Sequence, residues 1–292
     1  MKYGLFLGCN TPAIRPDVER AIRVTMPELD VELIDLEGYV CCPAFGTFPS
    51  TDEEAYLSVS GWNLSLGEQK GLDLLVECGS CYSSLSMGRE HILHDSAKKA
   101  RVNELLAPTG RTVEGKSKVR HITDVLYNEI GCEKISKTIK KKLDGVHAVI
   151  QYPCHTLFPH ELVGFDCPPA RPHILGDLVE ALGAKVDHFS CEYTCCGGAG
   201  GFHRASANEA KAFAQRKLDA IKKETKADII VVSCITCLMH LDNVQKELNA
   251  GNGKYDLAVF DYNQLLALCM GYDPKQVATI CSIPRDKIIA KF

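Results

Sequence analysis

Asp228-Ile229-Ile230-Val231-Val232-Ser233-Cys234-Ile235-Thr236-Cys237 carries the plan of the whole chain. A short β-branched run bounded by Asp and Ser is the pattern of a strand buried on both faces of a parallel sheet. A Cys-x-x-Cys follows at once, and Leu241, Val244 and Leu248 then continue at helical spacing. The first half repeats the pattern as Leu72-Asp73-Leu74-Leu75-Val76-Glu77-Cys78-Gly79-Ser80-Cys81. Strand, dithiol and helix therefore occur twice in one chain.

Upstream of these two units, Lys2–Leu7 and Val146–Tyr152 read as strands that end just before Cys9 and Cys154. Val31–Leu36 and Lys185–Phe189 read as further strands, and Ala210, Phe213, Ala214, Leu218 and Ile221 as one face of a helix. Strands alternating with helices predict an α/β fold with parallel sheets. Cys9 and Cys154 lie 145 residues apart, close to half of the 292-residue chain. The expected architecture is two pseudo-symmetric, Rossmann-like halves from an internal duplication, divided as 1–144 and 145–292.

Ten of the fifteen cysteines fall into the duplicated pattern. It runs Cys9, Cys41-Cys42, Cys78-x-x-Cys81, and then Cys154, Cys195-Cys196, Cys234-x-x-Cys237. Sites in open α/β sheets form beyond the carboxyl ends of strands, so three sequence-distant groups can converge at one sheet edge in each half. Five thiolates exceed the four that a tetrahedral zinc takes. A redox dithiol would use only two of them. Iron–sulfur ligation matches the donor type and number best, with zinc in one site as the alternative. Adjacent residues of an extended strand point to opposite faces, so a vicinal pair serving one centre requires a turn. Gly197, Gly198, Gly200 and Gly201 supply that turn after Cys195-Cys196, whereas Pro43 follows Cys41-Cys42.

Two such sets in a chain of this length resemble the cysteine-rich CCG-domain family, and within it the B subunits of heterodisulfide reductases from methanogenic archaea. The resemblance covers essentially the whole chain and all ten motif positions, with Pro43 in place of a glycine as the departure. It implies two non-cubane [4Fe–4S] clusters. One is held by Cys9, Cys41, Cys42, Cys78 and Cys81, the other by Cys154, Cys195, Cys196, Cys234 and Cys237. It implies that the disulfide of coenzyme M and coenzyme B is reduced between them, each cluster delivering one electron and binding one sulfur. It implies as partners a small ferredoxin-like [4Fe–4S] subunit and a large flavin and iron–sulfur subunit, with a hydrogenase or formate dehydrogenase as electron source.

His155, His203 and Arg204 flank the second set and are candidates for holding the anionic groups of such thiols or for donating protons. Cys132, Cys167, Cys191, Cys269 and Cys281 lie outside the motifs and read as ordinary thiols. Gly110 to Ser117 spells a phosphate-loop pattern, but the helix end and turn before it are the wrong context. Lys116 and Arg120 read instead as parts of a solvated connection. Net charge is −4 and no basic stripe occurs, which argues against nucleic acid. Lys134, Lys137, Lys140, Lys141 and Lys142 read as a solvated face. The short apolar start ends at a cysteine rather than a cleavage site, and no run is long enough to span a membrane, so the expectation is a cytoplasmic protein with reduced thiols. No ferredoxin-type cysteine run or dinucleotide fingerprint is seen, so electrons are expected from partner subunits. Two other functions fit the same residues: an iron–sulfur electron-transfer subunit of another respiratory or hydroxyacid/glycerol-phosphate dehydrogenase complex, and a zinc-stabilised assembly module.

Overall fold

The computed structural model describes residues 1–199, 201–250 and 253–292. Gly200 lies outside the described residues. In the first half, strands β1 (Lys2–Phe6), β2 (Glu32–Asp35), β3 (Leu74–Val76) and β4 (Val119–His121) alternate with helices α1 (Pro16–Glu28), α2 (Glu53–Lys70) and α3 (Gly79–His94). In the second half, β5 (His147–Gln151), β6 (Lys185–Val186), β7 (Ile229–Val232) and β8 (Ala258–Asp261) alternate with α4 (Ile174–Ala181), α5 (Ala207–Glu224) and α6 (Ile235–Leu248). Helix α7 (Tyr262–Cys269) follows β8. Both sheets are wholly parallel, in the orders β2-β1-β3-β4 and β6-β5-β7-β8. The two halves are thus built to one plan, as their sequence pattern predicts.

The central strands explain the apolar runs. Leu74, Leu75, Val76 and Ile229 to Val232 are buried on both sides, because helices cover both faces of each sheet. Lys185–Phe189 is the weakest expectation: only Lys185 and Val186 pair with β5, and the chain leaves the edge at Asp187. The edge strand β4 carries few apolar residues and has no counterpart in the sequence-based reading. Arg120 is on it rather than on a solvated connection. It is half-buried and bonds Asp124 at 2.7 Å and Glu129 at 2.5 Å. Lys116 is exposed, as expected, and Gly110–Ser117 runs from a 3-10 turn toward β4 without opening a helix.

The halves interlock. Helix α7 packs on α1, and Tyr272 donates to Glu28 at 2.9 Å. Reciprocally, the segment after β4 packs on α4, where Tyr127 donates to Asp177 at 3.1 Å. A buried ionic cluster ties the same seam. Asp17 at the start of α1 pairs with Arg15 at 3.2 Å, lies 3.9 Å from Arg285, and accepts from Gln264 at 2.7 Å and the Ile280 amide at 3.1 Å. Burial pushes the Arg285 guanidinium down to about 10. Among the described residues, no helix is long and apolar enough to cross a membrane.

Candidate metal–sulfur site

Each cysteine group stands where the sheet topology sends it. Cys9 and Cys154 follow the central strands β1 and β5 by three residues. Cys78 and Cys234 follow β3 and β7 and occupy the N-cap positions of α3 and α6. Helix N-termini present free N–H groups and partial positive charge, which favours thiolate at Cys78, whereas at Cys234, against a lowering bond from Cys237, the Cys78 bond and burial push the thiol well above its usual range. The vicinal pairs come in from the long connections before α2 and α5 and meet the Cys-x-x-Cys groups. Cys42 Sγ lies 3.0 Å from Cys81 Sγ, and Cys196 Sγ lies 3.2 Å from Cys237 Sγ. Cys154 Sγ lies 3.7 Å from Cys195 Sγ. Hydrogen bonds from Cys41 and Cys81 pull the Cys42 thiol down to about 5. Bonds from Cys154, Cys196 and the Gly197 amide pull Cys195 far below the usual thiol range.

All five cysteines of the first set line one cavity of about 220 Å3. Its remaining wall includes Gly198, Ala199, Ile235 and Thr236 of the second half. Among the described residues, no three His, Cys, Asp or Glu side chains form a shell around one ion. Side-chain contacts run from Cys9 through Cys41, Cys42 and Cys81 to Cys78, so the five thiols of the first set form one continuous group around this cavity.

The two sets adjoin. Cys78 Sγ is 3.8 Å from Cys234 Sγ and 3.7 Å from the Thr236 hydroxyl. The approach depends on Gly79, where a Cβ would fall 2.8 Å from Pro153 Cβ and 3.7 Å from Cys234 Sγ. Glu77 and Asp261, at the ends of β3 and β8, are buried behind the pair. Burial, with the Asp261 charge beside it, pushes Glu77 well above the usual carboxylate range. Sequence reasoning missed both. For Glu77, a carboxylate directly before a Cys-x-x-Cys was the available signal.

Gly197 makes the turn expected after Cys195-Cys196. Gly197 has φ +91° and its N–H donates to Cys195 Sγ at 3.2 Å, while Gly198 N–H donates to Cys196 Sγ at 3.4 Å. A Cβ on Gly197 would meet the Ala210 carbonyl at 2.6 Å. Gly197→Ala is therefore expected to cost about 1–3 kcal/mol through strain alone, read as a lower denaturant midpoint with a fall in bound metal.

His155 sits between the halves. Its ring stacks at 3.5 Å, tilted 41°, on Phe45, and its Nδ1 is 3.4 Å from Ser83 Oγ. Burial pushes this imidazole down. His203 and Arg204 lie elsewhere, in a second cavity of about 330 Å3 that His240, Asn243 and Glu247 also line. The His203 and His240 rings meet edge-on at 5.3 Å. Asn10, Gly198 and Thr236 line both cavities, so the basic pocket opens directly beside the first cysteine set.

One helix face differs from expectation. Phe213 of α5 is exposed against Phe202, and Lys217 takes the buried position with Ala210, Ala214, Leu218 and Ile221. Lys217 Nζ donates to the Cys191 carbonyl at 2.5 Å and the Glu192 carbonyl at 3.1 Å. Burial pushes its ammonium down to about 8, against the pull of the Cys196, Cys237, Cys191 and Cys195 thiols. Its spacing on the apolar face was the legible signal. Of the cysteines outside the motifs, Cys269 is buried, Cys132 and Cys191 are half-buried, and Cys281 is exposed; exposed Cys167 faces His160 Nε2 at 3.3 Å.

Comparison with known proteins matches the CCG cysteine-rich domain at residues 3–86 and 148–242, once in each half. A protein of Archaeoglobus profundus described as like the heterodisulfide reductase B subunit is 42% identical over 100% of this chain and 98% of its own. The B subunit of the ferredoxin:CoB-CoM heterodisulfide reductase of Methanosarcina mazei is 35% identical over 94% of this chain and 91% of its own. An 8-methylmenaquinol:fumarate reductase membrane anchor subunit of Wolinella succinogenes is 27% identical over 94% of both chains. The fold recurs in the crystal structure of a hypothetical protein from Helicobacter pylori, with TM-score 0.71 at 12% identity. This chain spans half the length of that one. With both halves matched and relatives alike end to end, the chain belongs to the family of heterodisulfide reductase B subunits and their like, built from two CCG cysteine-rich domains.

Proposed function

We propose that this chain is the catalytic subunit of a cytoplasmic heterodisulfide reductase complex, in which halves 1–144 and 145–292 each hold one non-cubane [4Fe–4S] cluster. The observation that carries the reading is the meeting of two five-thiol sets at Cys78 and Cys234, 3.8 Å apart. Cys9, Cys41, Cys42, Cys78 and Cys81 would hold one cluster, and Cys154, Cys195, Cys196, Cys234 and Cys237 the other. When bound, such clusters supply one-electron exchange at two adjoining places, which matches disulfide cleavage: R–S–S–R′, two electrons and two protons give RSH and R′SH. The relatives named for CoB-CoM heterodisulfide support that compound as substrate.

The chain's own residues do the binding and the proton handling. Thr236 and Asn10 line the passage from the basic pocket to the first cysteine set. Arg204 offers charge-assisted hydrogen bonds to a sulfonate, phosphate or carboxylate on the substrate, and His203 lines the same pocket. His155 lies between the halves with its Nδ1 3.4 Å from Ser83 Oγ, placed to pass a proton to a product thiolate. Electrons would come from a small ferredoxin-like subunit and a large flavin and iron–sulfur subunit, fed by a hydrogenase or formate dehydrogenase.

Iron and acid-labile sulfide per chain after anaerobic purification test the cofactor. Stoichiometric zinc with little iron or sulfide would sink it in favour of a zinc-stabilised module. The Wolinella relative favours a second reading, an electron-transfer subunit of another respiratory complex. Exposing the oxidised protein to coenzyme M and to coenzyme B separates the two. A cluster signal perturbed by either thiol supports the first reading, and silence with both supports the second. Arg204→Gln is expected to raise KM for the heterodisulfide about tenfold with kcat unchanged, because it removes binding shared by ground and transition states. An unchanged KM would remove Arg204 from the substrate site.

A further inference from the structure

The duplication gives residues of one half counterparts in the other, and one buried pair differs in charge. Asn63 and Lys217 each stand twenty-one residues beyond the second cysteine of their vicinal pair. Both are fully buried, in the corresponding helices α2 and α5. Both hold the backbone that leads into the pair. Asn63 Oδ1 accepts from the Val40 amide at 3.0 Å, just before Cys41. Lys217 Nζ donates to the carbonyls of Cys191 and Glu192, just before Cys195. One half thus puts a neutral amide behind its cysteine pair, and the other puts an ammonium.

A second difference acts in the same direction. The residue after Cys42 is Pro43, which has no N–H to give. The residues after Cys196 are Gly197 and Gly198, whose N–H groups donate to Cys195 Sγ and Cys196 Sγ. Reducing a metal–thiolate centre adds negative charge. A buried cation and N–H···S bonds stabilise the reduced form more than the oxidised one, and raise the potential.

We propose that Lys217, with the Gly197 and Gly198 amides, gives the centre at the second cysteine set a higher reduction potential than the centre at the first. The second set therefore takes the first electron. Lys217 is a positioning and tuning residue, since it touches the backbone before the ligands rather than substrate. The inference rests on the iron–sulfur reading above.

The test is a spectroscopically monitored redox titration of the anaerobically purified protein, with iron and sulfide measured on the same sample. Cys195→Ser and Cys41→Ser assign the two signals to their sets. The second-set signal is expected at the higher potential. Lys217→Met should lower it by a decade or more in the one-electron equilibrium, about 59 mV, and leave the first-set signal in place. Lys217→Gln keeps a donor for the carbonyls while removing the charge, and should lower it similarly. That separates charge from loss of local structure. A reversed order in the parent protein, or variants whose second-set potential stays put while iron and sulfide are full, overturns the inference alone. A protein without iron and sulfide overturns the functional reading, and the inference with it.

Discussion

Cys234→Ser is expected to strip one centre from the protein and abolish disulfide reduction, while leaving the first-set iron in place. Cys234 is buried at the N-cap of α6, so no solvent species can take its position. A serine hydroxyl is a harder and far less acidic donor than a thiol, and iron in a sulfur-rich site selects the thiolate. Iron and sulfide should fall to about half, and turnover to the uncatalysed background. Reduction of a disulfide to two thiols takes two electrons, and the proposed site exchanges one at each centre. The same result is expected for Cys41→Ser with the other set emptied. Substantial turnover in a variant shown to lack one centre would remove the two-centre reading. Because Cys234 Sγ lies 3.8 Å from Cys78 Sγ, the remaining signal in Cys234→Ser should shift more than in Cys195→Ser.

Asp17→Ala is expected to destabilise the fold by about 3–5 kcal/mol, the range for removing one partner from a buried ionic cluster. Asp17 is the acidic member between Arg15 and Arg285, all three being buried. Its loss takes away the carboxylate within 4 Å of both guanidinium groups and leaves Arg285 to the Asp242 charge. It also frees the Gln264 amide and the Ile280 N–H, which together fix α7 and the C-terminal segment against α1. Asp17→Asn keeps acceptors for those two donors and should cost less. The check is a denaturant midpoint at constant slope. A loss below about 1 kcal/mol, the scale of exposed ion pairs, would mean that water reaches the arginines and that this seam does not hold the halves together. A shift of that size also bears on function, because the short helix Asn10–Ile14 directly after Cys9 packs on α1.

Much of this protein is legible in its sequence because duplication repeats every signal. The apolar runs Leu74–Val76 and Ile229–Val232 have no polar face, which marks central parallel strands. The cysteines directly after them mark the carboxyl ends where sites form. Glycine after Cys195-Cys196 announced a turn that the structure realises at Gly197. Local patterns of this kind are written within ten or so residues, where periodicity and backbone sterics act. The edges were less legible. Strand β4 is short and charged through Arg120, and β6 pairs over two residues, so neither needs a long apolar run. Phe213 was expected on the buried face and is exposed, and the burial of Lys217 was not legible from its spacing alone because it depends on carbonyls that the chain supplies some twenty-five residues earlier.

Spacing and residue type alone dictate the two-fold plan and the ten thiols, because both are written along the chain. That the two sets adjoin through Gly79, and that a basic pocket opens onto one of them, follows only from how the halves pack. The same holds for the cation that lies behind the second cysteine pair where the first has an amide. Those are relations between residues far apart in the chain, set by two interlocked halves, and no local period encodes them.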